Sequence, residues 1–104
     1  MTNIPEVFYV VADHGRIGRE SIINWERCSR ADVIDDLIRG EHTRPLEVHC
    51  IDREAGRWED CSLDIADAIL LQLSEEPAGA LLDFLEQHLG CEQVAEFCRE
   101  LVAA

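Results

Sequence analysis

The chain begins with a strand-like pattern and changes to helical spacing within thirty residues. Residues 6–13, Glu-Val-Phe-Tyr-Val-Val-Ala-Asp, are β-branched and aromatic and predict a first strand. His14-Gly15-Arg16-Ile17-Gly18 supplies a turn, and residues 20–27 predict a returning strand with Ile23 and Trp25 on one face. Ser29 then stands where an N-cap belongs, with Asp32 in the first turn. Val33, Ile34, Leu37 and Ile38 recur at helical spacing, leaving Asp32, Asp35, Asp36 and Arg39 for water, until Gly40 stops the helix.

The second half repeats that order. Pro45 opens a third strand in which Leu46, Val48 and Cys50 alternate with Glu47, His49 and Ile51. Arg53-Glu54-Ala55-Gly56 has the length of a hairpin loop, and residues 57–61 predict a short fourth strand. Ser62 is read as the cap of a helix running to about Ser74. That helix is so apolar, with Ile65, Ala66, Ile69, Leu70, Leu71 and Leu73, that it predicts the most buried element. Pro77 opens a third helix with the stripe Leu81, Leu82, Leu85 and Leu89, which ends at Gly90. A last helix turns Val94, Phe97, Cys98, Leu101 and Val102 inward. The expected fold is one α+β domain over residues 1–104, in the order ββαββααα. Two β-hairpins form an antiparallel four-stranded sheet packed against helices, mainly on one face. Trp25-Glu26-Arg27-Cys28-Ser29 recurs as Trp58-Glu59-Asp60-Cys61-Ser62, as an internal duplication or as a five-residue coincidence.

Charge narrows the partners. The chain has 104 residues, 47% of them hydrophobic, and a formal charge of −13. Direct binding to nucleic acid needs clustered cations and is excluded as an expectation, as is docking on an anionic membrane. The charge is uneven: residues 1–61 carry 8 arginines against 13 acids, whereas residues 62–104 carry one arginine against 9 acids. An acidic exterior on the last three helices fits a solvated surface, a basic protein partner, or a DNA-mimicking inhibitor of a nucleic-acid-binding protein. The start of the chain has no basic n-region, and no apolar run is long enough to span a bilayer. Five cysteines (Cys28, Cys50, Cys61, Cys91 and Cys98) at irregular spacing point to reduced thiols and a cytoplasmic location.

Chemistry-bearing motifs are sparse. His49-Cys50 with Cys61, or His88 with Cys91 and Cys98, are candidate metal ligands, but no Cys-x2–4-Cys knuckle exists, so no metal or cofactor is expected. Gly15-Arg16-Ile17-Gly18 matches a GxxG backbone clamp literally, yet it follows a strand and is read as a turn. Asp13-His14 is the nearest approach to an acid–base pair. No nucleophile elbow or His-Glu-x-x-His helix is present, and no catalytic residue is assigned.

What remains is an interface. The first strand is apolar on both faces, so helices on one side leave Val7, Tyr9 and Val11 on the other, with Trp25 and Trp58 beside them. Such a patch predicts a contact surface, most simply in a homodimer. The expected function is therefore a non-catalytic protein–protein interaction or regulatory domain. Residues 32–70 also resemble a group of small bacterial proteins of unknown function. The resemblance lies in Asp35-Asp36-Leu37-Ile38-Arg39-Gly40, the strand Pro45-Leu46-Glu47-Val48, and Glu54-Ala55-Gly56-Arg57 leading to Asp64-Ile65-Ala66. It implies a bacterial cytoplasmic protein and transfers no catalytic or binding residue.

Overall fold

The computed structural model describes residues 6–13 and 15–103. Strands β1 (Glu6–Asp13), β2 (Arg19–Ile22), β3 (Pro45–Asp52) and β4 (Arg57–Asp60) form one antiparallel sheet in the order β2-β1-β3-β4. Four helices follow the expected sequence: α1 (Arg30–Ile38), α2 (Ser62–Gln72), α3 (Gly79–Leu89) and α4 (Cys91–Ala103). The α+β class, the four-stranded sheet and the order ββαββααα are those read from the sequence.

The two long strands pair along their whole length, with a bulge between Val11 and Ala12. Alternation puts Phe8 and Val10 on the same side as Val48 and Cys50, and this side meets the helices. Ile34, Ile65, Ile69, Phe84, Leu85 and Val94 complete the core, so each helix contributes at least one fully enclosed side chain. Phe84 sits in its centre, although the leucine stripe alone carried the expectation for α3.

Several local expectations are corrected. The returning strand ends at Ile22. Residues 24–27 make a turn in which the Arg27 amide donates to the Asn24 carbonyl, and Trp25 stands in that turn. The reason is a competing acceptor: the Phe8 amide donates to the Cys28 carbonyl at 2.8 Å, so the chain has already swung back along β1. Asp36 is buried rather than solvated. Arg27 reaches across and donates Nε to both of its carboxylate oxygens at 3.0 and 3.2 Å, and also binds Asp35. This tie fastens the β2–α1 connection to α1, and the Asp36 hydrogen bond with its negative neighbours raises the hold of Arg27 on its proton.

The two Trp-Glu-x-Cys-Ser segments have different conformations. Ser29 is a true cap, its Oγ accepting the Asp32 amide at 3.1 Å. Ser62 is instead the first helical residue and is buried; Cys61 is the N-cap, and the Ser62 amide and hydroxyl both donate to Asp60 Oδ1 at 2.9 and 2.5 Å, so the Asp60 carboxylate satisfies the first helical amide. Pro77 precedes α3 by two residues, with Ala78 as its N-cap. Gly90 closes α3 at φ 90°, a conformation that favours glycine. Val102 points outward from α4. No helix of the described residues is long and apolar enough to cross a membrane.

Candidate functional site

Two surfaces concentrate unusual side chains. The first is the sheet face turned away from the helices. Glu47 and His49 lie two residues apart on β3 and therefore point the same way. The register places Tyr9 on one side of His49 and Asp60 on the other, with Trp58 one row along. His49 is only 8% exposed, its ring held edge-on by Tyr9 at 5.4 Å and Trp58 at 4.7 Å between centroids.

Hydrogen bonds set the direction of this cluster. The indole Nε1–H of Trp58 can only donate, and it does so to Tyr9 Oη at 2.9 Å. Tyr9 then donates its hydroxyl to His49 Nδ1 at 3.3 Å, and His49 Nε2–H donates to Glu47 Oε2 at 2.8 Å. A carboxylate oxygen only accepts, so His49 carries a proton at Nε2, and Tyr9 Oη closes the other side of the ring at Nδ1. Asp60 Oδ2 lies 3.9 Å from the same Nε2. Burial pushes the Asp60 carboxyl up, but the two Ser62 hydrogen bonds and the nearby His49 and His88 outweigh it and hold it below the ordinary aspartate range.

The expected interface residues divide here. Val7 and Val11 are 3% and 7% exposed within the single chain, and Tyr9 is half-buried in the cluster. Trp58, 57% exposed, and Trp25, 65% exposed, stand out from the surface, with the Arg53 guanidinium 5.8 Å over the Trp25 ring. Asp60 was passed over in the sequence, although it was legible there. A four-residue loop over 53–56 pairs Asp52 with Arg57, and counting back pairs His49 with Asp60.

The second surface lies on the helices. Leu63, Asp67, Leu70 and Leu71 share one side of α2, at spacings of four, seven and eight. Leu63 and Leu71 on it are exposed, Leu71 at 89%, whereas Leu70 is half-buried against the core that Ile65, Ala66, Ala68 and Ile69 fill. Helix α2 is the most buried of the four helices, as its composition predicts, yet Leu63 and Leu71 remain outside. Helix α3 packs against both α2 and α4. Between α2 and α4 runs a groove of about 650 Å³, lined by Leu70, Leu71, Leu73 and Phe97 and edged by Asp67, Glu96 and Glu100.

The remaining candidates lead away from chemistry. Cys50 sits on the core side, opposite His49, and its thiol donates to Glu6 Oε2 at 3.2 Å. Burial and the Glu6 carboxylate push that thiol up to about 12, and burial raises Cys61 beside it, so neither supplies a ready thiolate. His88 donates Nε2–H to the Leu46 carbonyl at 2.6 Å and packs on Phe84, away from the exposed Cys91. Gly15–Ile17 form a single 3-10 turn, with the Gly18 amide on the Gly15 carbonyl. His14 and residues 1–5, which bore on the acid–base pair and on the leader, lie outside the described residues. A scan of protein-family models and searches of curated proteins and solved structures find no match to this chain.

Proposed function

We propose that this protein is a non-catalytic interaction domain that receives a basic amphipathic helix from a partner protein in the groove between α2 and α4. The observation that carries the reading is the composition of the groove: Leu70, Leu71 and Phe97 line it together with the carboxylates of Asp67, Glu96 and Glu100. Leucine at 89% exposure on a regular helix costs solubility and adds nothing to the core. A helix ligand would cover it with residues spaced i, i+3, i+4 and i+7 and set its flanking cations against the acidic edges. Helices of 11 and 13 residues are about 16 and 20 Å long, enough to seat roughly three turns of such a ligand.

The charge favours a foreign partner over a second copy. Two chains of −13 repel each other, and the helical half brings only Arg99 to set against its nine acids. Self-association through the sheet face draws support from Trp58 and Trp25. It would also press Glu47, His49 and Asp60 against their copies, and Val7 and Val11 have little surface left to give.

The test is a titration with a synthetic helix of leucines on one face and arginines and lysines on the other, followed by fluorescence anisotropy, with light scattering on the protein alone. A small groove of this kind predicts a Kd of about 1–10 μM, weakening by at least tenfold as ionic strength rises from about 0.1 to 1 M and the Debye length falls from ~10 to ~3 Å. No binding, or binding indifferent to salt, refutes the reading. A stable dimer with no peptide binding would move the interface to the sheet face.

A further inference from the structure

We infer that Glu47, His49 and Asp60 form a binding site for one divalent transition-metal ion on the sheet face turned away from the helices. The three ligand atoms, Glu47 Oε2, His49 Nε2 and Asp60 Oδ2, lie within 4.8 Å of one another. Ions of this class bind imidazole nitrogen and carboxylate oxygen at about 2.0–2.2 Å, which sets neighbouring ligand atoms in a tetrahedral shell about 3.3 Å apart. The separations from Nε2, 2.8 Å to Glu47 and 3.9 Å to Asp60, fall on either side of that value.

The stronger argument is what holds each ligand from behind. Metal sites fix their ligands through outer hydrogen bonds to the atom that does not bind. Here all three ligands are held in that way. Glu47 uses Oε1 for Arg19, at 3.4 Å, and keeps Oε2 for the site. Asp60 uses Oδ1 for the amide and hydroxyl of Ser62 and keeps Oδ2. His49 uses Nδ1 for Tyr9 Oη, itself anchored by Trp58, and keeps Nε2. Ordinary surface carboxylates beside a histidine have no need of this division. The ring is also pinned between two aromatic edges and nearly enclosed, so the nitrogen donor is placed before any ion arrives.

Ligand type selects the ion. One imidazole and two carboxylates, with no thiolate, suit Zn²⁺, Mn²⁺ or Co²⁺ better than copper(I) or an iron–sulfur cluster. Two negative charges in a chain of −13 draw a dication in and are neutralised by it. Binding puts the ion where the Nε2 proton stands in the free protein. The imidazole proton moves to Nδ1 and is donated to Tyr9 Oη, while the Tyr9 hydroxyl hydrogen turns outward; the ring stays neutral. Three protein ligands leave at least one coordination position open to solvent.

The experiment is calorimetric titration of Zn²⁺ and, separately, Mn²⁺ into Cys91→Ser protein, which removes the exposed thiol as a competitor for zinc. Trp58 touches the His49 ring, so its fluorescence, read in a Trp25→Phe background, reports occupancy of this site alone. The expected result is one equivalent bound with a change in Trp58 emission. Glu47→Gln and Asp60→Asn should each weaken binding at least tenfold, and Tyr9→Phe, through the outer hydrogen bond, by about 10–100-fold. Circular dichroism establishes that each variant is folded. Absence of stoichiometric binding of either ion, or Glu47→Gln and Asp60→Asn proteins that are folded and bind as tightly as the parent, overturns the assignment.

Discussion

At the scale of single residues, the same five-letter segment is used in two ways, and the difference can be measured. Ser29 caps α1 with one part-buried hydrogen bond, so Ser29→Ala should cost about 1 kcal/mol. Ser62 accepts the buried Val48 amide at 2.9 Å, and Ser62→Ala leaves that donor without its partner, at a cost of about 1–3 kcal/mol. Urea unfolding of the two variants checks both values. Phe84, wholly enclosed at the centre of the helical layer, should lose about 3–5 kcal/mol on truncation to alanine. Asp60 gives a pH dependence. Its carboxyl titrates below the ordinary range in the fold, so the stability it contributes is complete above about pH 4, the unfolded value, and is lost as pH falls through the lower folded value. The stability gap between the parent and Asp60→Asn should accordingly be widest near neutrality and shrink on acidification below about pH 4.

At the scale of elements, what was legible in the sequence followed from spacing. The β-branched and aromatic run over 6–13, the four-residue loop 53–56 and the helical stripes all became the elements they predicted, because each rests on contacts within a few residues. The errors came from distant partners. Residues 23–27 read as strand, but the Phe8 amide claimed the Cys28 carbonyl and Arg27 was drawn onto the buried Asp36. The composition of α2 conveyed how apolar the helix is, and not that only one of its faces would be covered. The same holds for the site: His49 was visible as a candidate ligand, but the thiols expected beside it face the core, and its actual neighbours come from strands 40 residues before and 11 after. For the exposed Leu71 of α2, the account predicts that Leu71→Asp leaves the free energy of unfolding within about 0.5 kcal/mol of the parent, as for a surface change. The same variant should weaken peptide binding at least tenfold, checked by anisotropy.

At the scale of the molecule, the charge and the packing describe one division of labour. The sheet half holds eight of the nine arginines, and several are paired there with carboxylates: Arg27 with the buried Asp36 and with Asp35, Arg30 with Asp64, and Arg19 with Glu47 at the surface. The helical half keeps nine acids against Arg99 and leaves Leu71 and the rim of its groove open to water. Charge argues against nucleic acid as a ligand, and joined to the groove it is the basis for proposing a helix with a leucine face and basic flanks.

That pairing of apolar floor and acidic edge is the central claim, and reversing the edge tests it most directly. Glu96→Arg with Glu100→Arg keeps Leu70, Leu71 and Phe97 and inverts two carboxylates that line the groove. Anisotropy titrations should then show the basic leucine-faced peptide bound at least tenfold more weakly, and a peptide with the same leucines and glutamate flanks bound more tightly than by the parent. Unchanged affinity for both peptides in the folded variant would contradict the account.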